Sequence, residues 1–428
     1  MQGPPGVTRG GLPVRSSVYR TEAPNDYIVP PALYNIEYKK SEVVWPPRHQ
    51  ETESLNLPRC PDVIFRAHYP LDFSPSSCAS TRVIVFGTAE TDPATDVQSF
   101  QQKTPEIDRR FWENINPSII FLTPSVWSAG LLHTAGLPLS QLRVLPHGFN
   151  ADLFYPVSSR TAKAALRTSF GWHHDDCVVV VTVGHMRWKK GIDALLPAAV
   201  AAARGMRDGE CMRLVLKGLD ELYESSAKVE ELLDAGVEQA AVAGGKARVG
   251  APLRAAARKL FKKGKLILDV RGETMPTKQV ADLMRAADVF VSPYRAEGFN
   301  LPVLEAAAVG LPLIVSEGGA ADAFTHASFT RFVTTKLIHG GPAGNNPNAA
   351  HVEPDRGDLA DALIAAVRDK AWRERSGPAA AAWVRANNFT WDSVARRHVS
   401  LFFPEKAAAA ASRDVADEYF DDDEEDDL

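Results

Sequence analysis

The chain has 428 residues with 45% apolar and 24% charged side chains, a balance that excludes a fully disordered or fibrous protein and suits two or three domains with cores of their own. The formal net charge of −5 hides an asymmetry. Residues 414–428 carry ten acids and no Lys or Arg, so the remaining body holds 48 basic residues against 43 acidic ones. Such a body is too weakly basic to imply nucleic-acid binding. It suits a small anionic ligand.

The N-terminal sequence has no apolar segment of secretory type, and no apolar run reaches membrane-spanning length. A cytoplasmic protein is therefore expected, with peripheral membrane contact left open and the oligomeric state undetermined. Cys60, Cys78, Cys177 and Cys211 form no C-x-x-C pair. At this density they are expected to be free thiols in a reducing compartment.

Residues 1–58 are rich in Pro, Gly and polar residues and predict loops. From residue 59 short β-branched or aromatic runs appear at 62–66, 82–86, 118–122 and 142–145, with helical patterns at 105–115 and 126–135. Strands alternating with helices predict a parallel sheet covered by helices. Ser125 is placed to cap the second of these helices. The stretch 146–156, PHGFNADLFYP, reads as a linker between two lobes. A longer alternation follows, with strands at 177–183, 212–216, 265–270, 289–292, 313–316 and 329–333. Helices are expected at 192–204, 221–235, 253–261, 277–286, 302–309, 357–369, 372–387 and 391–402, the last capped by Thr390. Residues 339–348 read as a Gly/Asn/Pro surface loop, and the chain beyond Pro404 as a disordered acidic tail. The expected division is therefore a loop-rich segment 1–58, a first lobe 59–155, a second lobe 156–387, a crossing helix 388–404 and a tail 405–428.

In open α/β sheets ligands bind beyond the C-terminal ends of the strands. Two loops of the second lobe stand there. Gly184-His185-Met186-Arg187-Trp188-Lys189-Lys190-Gly191 follows a strand and opens a helix. Its glycines permit close approach, and its cations with the helix N-terminus suit a diphosphate. Glu297-Gly298-Phe299-Asn300-Leu301-Pro302-Val303-Leu304-Glu305 follows another strand, with Pro302 placed for a first helical turn. Backbone amides of Phe299 to Leu301 can cradle a phosphate. The Glu305 carboxylate can accept from a vicinal diol, and Glu297 from a sugar hydroxyl. Taken singly, either acid reads better as an exposed helix-end carboxylate.

Glu297 and Glu305 are spaced E-x7-E, and the stretch from Ala286 to Gly319 resembles the C-terminal lobe of the retaining GT-B glycosyltransferases of family 4. Further pieces agree in order: TPSVWSAGLL (123–132), the linker PHGFNADLFYP, GHMRWKKG (184–191), VEPDRGDLADAL (352–363) and FTWDSVA (389–395). The resemblance spans roughly residues 60–402. It implies an α/β protein of GT-B architecture. Two Rossmann-like parallel-sheet lobes would face a cleft, and a C-terminal helix would cross back to the first lobe.

The same resemblance implies a retaining glycosyltransferase. The donor would be a nucleoside-diphosphate sugar and the acceptor a glycan, lipid or small molecule, with no cofactor, no metal and no nucleic-acid partner. By position, Lys190 would bind the diphosphate with Gly184, His185 and Arg187. Val270, Arg271 and Gly272 would hold the base. Glu305 would take the ribose hydroxyls, Glu297 the transferred sugar, and Gly298, Phe299, Asn300 and Leu301 the phosphate. Glu297, Lys190 and a first-lobe histidine, His68, would be the catalytic set. His185 stands where the family has arginine, and Arg187 is the nearest fixed charge. Lys217-Gly218-Leu219-Asp220 replaces the family's Gly-Asp-Gly. No βα unit precedes residue 59, which predicts a first lobe short by about one unit. These departures leave a second reading open, a non-catalytic GT-B-like binding or scaffold protein.

Overall fold

The computed structural model describes residues 62–67, 73, 75–76, 78–91, 116–172, 176–238, 249–340 and 346–403. The chain divides into Met1–Arg59 and Cys60–Leu428, and the second unit holds every described residue. The helix expected at 105–115, the alanine run 407–411 and the acidic tail lie outside the described residues.

The first lobe carries a four-stranded parallel sheet in the order β1-β2-β3-β4, from β1 (Val63–Arg66), β2 (Arg82–Phe86), β3 (Ile119–Thr123) and β4 (Leu142–Val144). Helix α1 (Val126–Thr134) follows β3, and the Ser125 hydroxyl accepts from the Ser128 amide as its N-cap. After the linker comes α2 (Arg160–Ser169), a helix the sequence pattern does not show. Its Lys163 and Arg167 both grip Asp288, whose carboxylate also accepts from the Val179 amide at 2.8 Å. One acid thereby ties α2 to the starts of two central strands.

The second lobe comprises β5 (Val178–Val183), α3 (Ile192–Gly205), β6 (Met212–Lys217), α4 (Asp220–Tyr223), α5 (Ser225–Asp234), β7 (Gly236–Glu238), β8 (Val249–Pro252), α6 (Leu253–Lys262), β9 (Leu266–Arg271), α7 (Thr277–Ala286), β10 (Val289–Ser292), α8 (Leu301–Ala308), β11 (Leu313–Ser316), β12 (Thr330–Val333), β13 (Thr335–Gly340), β14 (Asn346–Pro354), α9 (Arg356–Arg368) and α10 (Lys370–Ala386). Six of the strands form a parallel sheet in the order β12-β11-β10-β5-β6-β9. β10 and β11 are buried throughout, as expected of strands covered by helices on both faces. From β5 the chain moves outward to β6 and β9, then returns to the other side at β10. The switch point therefore lies between β5 and β10, where the two candidate loops leave the sheet side by side.

Two expectations need correction. Within the surface loop expected at 339–348, His339 and Gly340 belong instead to β13 and residues 346–348 to β14, which pair as an antiparallel hairpin, while 341–345 lie outside the described residues. The hairpin is held from outside, because the Ala350 amide donates to Thr91 O of the first lobe at 2.8 Å and Ala350 packs with Phe73, Phe121 and Leu131. The cysteines are not free. Cys177 and Cys211 form a disulfide, and Cys78 is also disulfide-bonded. The cause of the first bridge is register: β5 and β6 pair in parallel with Val178 opposite Met212, which sets the two preceding cysteines side by side.

Helix α11 (Trp391–Phe402) is capped by Thr390, which accepts from the Ser393 amide. It crosses to the first lobe, where Phe402 packs on Ile84 and Leu122 and its carbonyl accepts from Arg82. The linker meets the start of this helix through paired bonds, Phe149 N to Phe389 O and Trp391 N to Phe149 O. Gly148 is required there, since a Cβ would come within 2.5 Å of Trp391 N. No helix among the described residues is long and apolar enough to cross a membrane.

Candidate active site

The loop after β5 is shaped by two glycines at positive φ, a conformation that L side chains rarely adopt. Gly184 has φ +143°, and a Cβ there would press on the Lys190 side chain at 3.0 Å. Gly191 has φ +69°, and a Cβ would fall 1.8 Å from Pro293 O. The loop therefore folds Lys190 back over Gly184 and seats itself against the loop after β10. There Lys190 Nζ meets Glu297 Oε1 at 2.6 Å, both side chains being almost enclosed. Burial pushes the Glu297 carboxyl above its ordinary range, while Lys190 opposes that shift.

Asn300 caps α8 in the left-handed region, φ 72° and ψ 59°, with its side-chain amide donating to Ser292 Oγ. This turn leaves the backbone N–H groups of Gly298, Phe299, Asn300 and Leu301 without a hydrogen-bond acceptor among the described residues. Unused amides at a helix start, beside a lysine, form an anion cradle. Glu305 lies one turn further into α8. It is not the exposed helix-end acid that its sequence position allowed: it is only 8% exposed, as is Glu297. No hydrogen bond or ion pair reaches its side chain among the described residues. Burial alone raises its carboxyl to about 8.

That value carries a pH prediction. The unliganded fold favours the protonated acid, so this stabilising share is complete below the ordinary carboxyl range and is lost as pH rises towards about 8. Glu305→Gln is expected to melt higher than the parent at pH ~9 and to show no such gain at pH ~5. Equal differences in melting temperature at both values would disprove it.

His185 sits beside Lys190, Arg187 and Lys189, and burial with these charges lowers it to about 4. It is neutral near pH 7 and supplies no fixed charge. Its buried Nδ1 has no partner, and its ring lies 5.2 Å from Tyr223. Arg187 packs over the same tyrosine, 5.0 Å from its centroid. At the end of β9, Arg271 turns away from the crevice to Asp269 and Phe170 O. Gly272 is closely covered by the Asp220 carboxylate. Val270 is half-buried against the core. His68 lies outside the described residues.

Several residues of the site escape a linear reading. Arg295 is buried and donates to both oxygens of Asp193 and both of Glu353, and also to Trp188 O. Its own amide donates to Lys189 O. Arg295 thus braces the cationic loop from behind. Lys217 is buried and donates to Gly218 O and Glu273 O, closing β6 onto the loop after β9. From the first lobe, Glu90 pairs with Lys189 at 2.6 Å and Ser125 donates to Gly298 O at 2.6 Å. Thr88 stands so close that a Cβ on Gly298 would meet it at 2.9 Å. His147 is half-buried, and its desolvation lowers it to about 4, its ring packed on Phe299, Phe86 and Trp391. It acts as neutral packing at the lobe junction. Among the described residues no group of three or more His, Cys, Asp or Glu is arranged to hold a metal.

Two Rossmann-like parallel-sheet lobes, a linker, a helix crossing back and a crevice at the switch point define the GT-B class of fold. Solved structures agree. Sucrose-phosphate synthase from Thermosynechococcus elongatus is similar with TM-score 0.51 and 20% identity, over 77% of this chain and 69% of that one. A glycosyltransferase from Rickettsia africae gives TM-score 0.51 at 12% identity, over 80% and 76%. Residues 213–369, within the second lobe, match the family described as "Glycosyl transferases group 1". Mannosylfructose-phosphate synthase from Agrobacterium fabrum is 25% identical over 57% of this chain and 48% of its own length. D-inositol 3-phosphate glycosyltransferase from Kribbella flavida is 33% identical over 30% and 26%. The chain thus spans about half, or less, of the length of these curated relatives.

Proposed function

We propose that the protein is a retaining glycosyltransferase that moves a sugar from a nucleoside-diphosphate sugar to a glycan, lipid or small-molecule acceptor. One observation carries this reading. The enclosed Lys190–Glu297 pair, four unused amides at the start of α8 and the unpartnered Glu305 carboxyl all stand at one switch-point crevice. In this reading the amides and Lys190 take the diphosphate and stabilise the negative charge that grows on it as the glycosidic bond breaks. Glu305 takes the ribose diol. Glu297 contacts the transferred sugar. Arg187 supplies the fixed charge that the neutral His185 does not. Val270 and Gly272 offer backbone groups to the base. Retention follows if the acceptor attacks on the face the diphosphate leaves, with a diphosphate oxygen taking the acceptor proton.

The neutral His185 favours a second reading, in which the crevice binds the donor without turnover. Proton NMR of reactions with UDP-, GDP- and ADP-sugars and a panel of sugar acceptors separates the two. The expected result is release of nucleoside diphosphate and a product with the donor's anomeric coupling. An inverted product overturns retention. A donor that binds and is never consumed supports the second reading.

A further inference from the structure

We propose that the outer face of α6, at the far edge of the second lobe, docks on an anionic lipid surface. Residues 239–268 contain eight Lys or Arg and no Asp or Glu. Within α6, Leu253, Ala257 and Leu260 face the core. Arg254, Arg258, Phe261 and Lys262 recur at helical spacing along the opposite face. Arg254 is taken up by Glu230 and Asp234. Arg258, Lys259, Lys262 and Lys263 are exposed, and their side chains have no hydrogen bond or ion pair among the described residues. Phe261 stands among these cations 61% exposed. Beside it lies a depression of about 540 Å³ lined by Arg254, Arg258, Lys259 and Lys262, with Asp234 and Ala255.

Unpaired cations around an outward aromatic are the pattern of an interfacial helix: the charges meet anionic headgroups and the ring enters the boundary beneath them. The acidic segment 414–428, with Tyr419 and Phe420 among its acids, is the competing occupant, and the test below separates the two. β9 closes one edge of the sheet, away from the β5/β10 switch point. A face there can rest on a surface while the crevice stays open. This proposal is independent of the donor reading.

Cosedimentation of the full chain with vesicles tests it. Binding to phosphatidylcholine vesicles containing about a third phosphatidylglycerol is expected to exceed binding to pure phosphatidylcholine at least ~10-fold, and to weaken with salt. Arg258→Glu with Lys262→Glu is expected to reduce it at least ~10-fold, and Phe261→Ser severalfold at unchanged charge. Melting temperatures should stay at the parent value, because all three side chains are exposed. Lys336→Glu, an exposed cation on β13, should leave binding unchanged. Binding indifferent to lipid charge, unaltered in the double variant, or equally lost in Lys336→Glu overturns the proposal. So does binding that emerges only when the acids of 414–428 are neutralised, which would make that segment the occupant.

Discussion

Replacing Lys190 by methionine is expected to weaken nucleoside-diphosphate binding by about 10- to 100-fold, the worth of a charge-assisted hydrogen bond to a phosphate. It also strands Glu297, whose side chain is enclosed and whose close charge partner is Lys190 at 2.6 Å. A buried carboxylate without its cation takes up a proton rather than remain charged. The variant is therefore expected to lose stability progressively as pH rises above the ordinary carboxyl range. Lys190→Met combined with Glu297→Gln separates the two effects. The double variant should regain thermal stability at neutral pH and stay as weak a binder as the single one. Recovery of affinity together with stability would mean that Lys190 serves only to neutralise Glu297.

Arg295→Met is expected to be the most damaging substitution for the fold, at about 3–5 kcal/mol by urea denaturation, the usual cost of removing one member of a buried charge network. Arg295 joins the loop after β10 to the first turn of α3 through Asp193, to β14 through Glu353 and to the cationic loop through Trp188 O. Arg295→Lys should rescue little, since an ammonium cannot serve two carboxylates with the fork of a guanidinium. Donor affinity should fall in parallel, because the carbonyls of Trp188 and Lys189 are both held by Arg295. A variant less than about 1 kcal/mol below the parent would show that the solvent-facing sides of Asp193 and Glu353 already satisfy them.

The site was legible in the sequence where its chemistry is local. Gly184, Lys190 and Gly191 lie in one strand-to-helix loop, and Glu297 to Glu305 in another. A linear pattern is enough to place both at strand ends. Arg295 stands inside that second stretch, yet its importance depends on Asp193 and Glu353, more than fifty residues away on either side. No spacing rule connects the three. Arg271 shows the reverse: it sits at the expected strand end, but Asp269 and Phe170 O draw its charge elsewhere.

The fold follows the same division. The alternation of buried strands and amphipathic helices gives most of both sheets. The pairing of β13 with β14 escapes because the sequence from 339 to 348 is rich in Gly, Asn and Pro, and its support comes from Thr91 in the other lobe. Helix α2 escapes because it buries no residue completely and is held by Asp288 through Lys163 and Arg167. The disulfide escapes because 34 residues of separation say nothing until β5 and β6 are in register.

Calorimetric titration of the protein with UDP, GDP and ADP, repeated on Glu305→Ala and Lys190→Ala, tests the switch-point crevice most directly. At least one of the three nucleotides is expected to bind one to one, and each substitution to weaken it at least ~10-fold. Absence of binding for all three, or parent-like affinity in both variants, would contradict it.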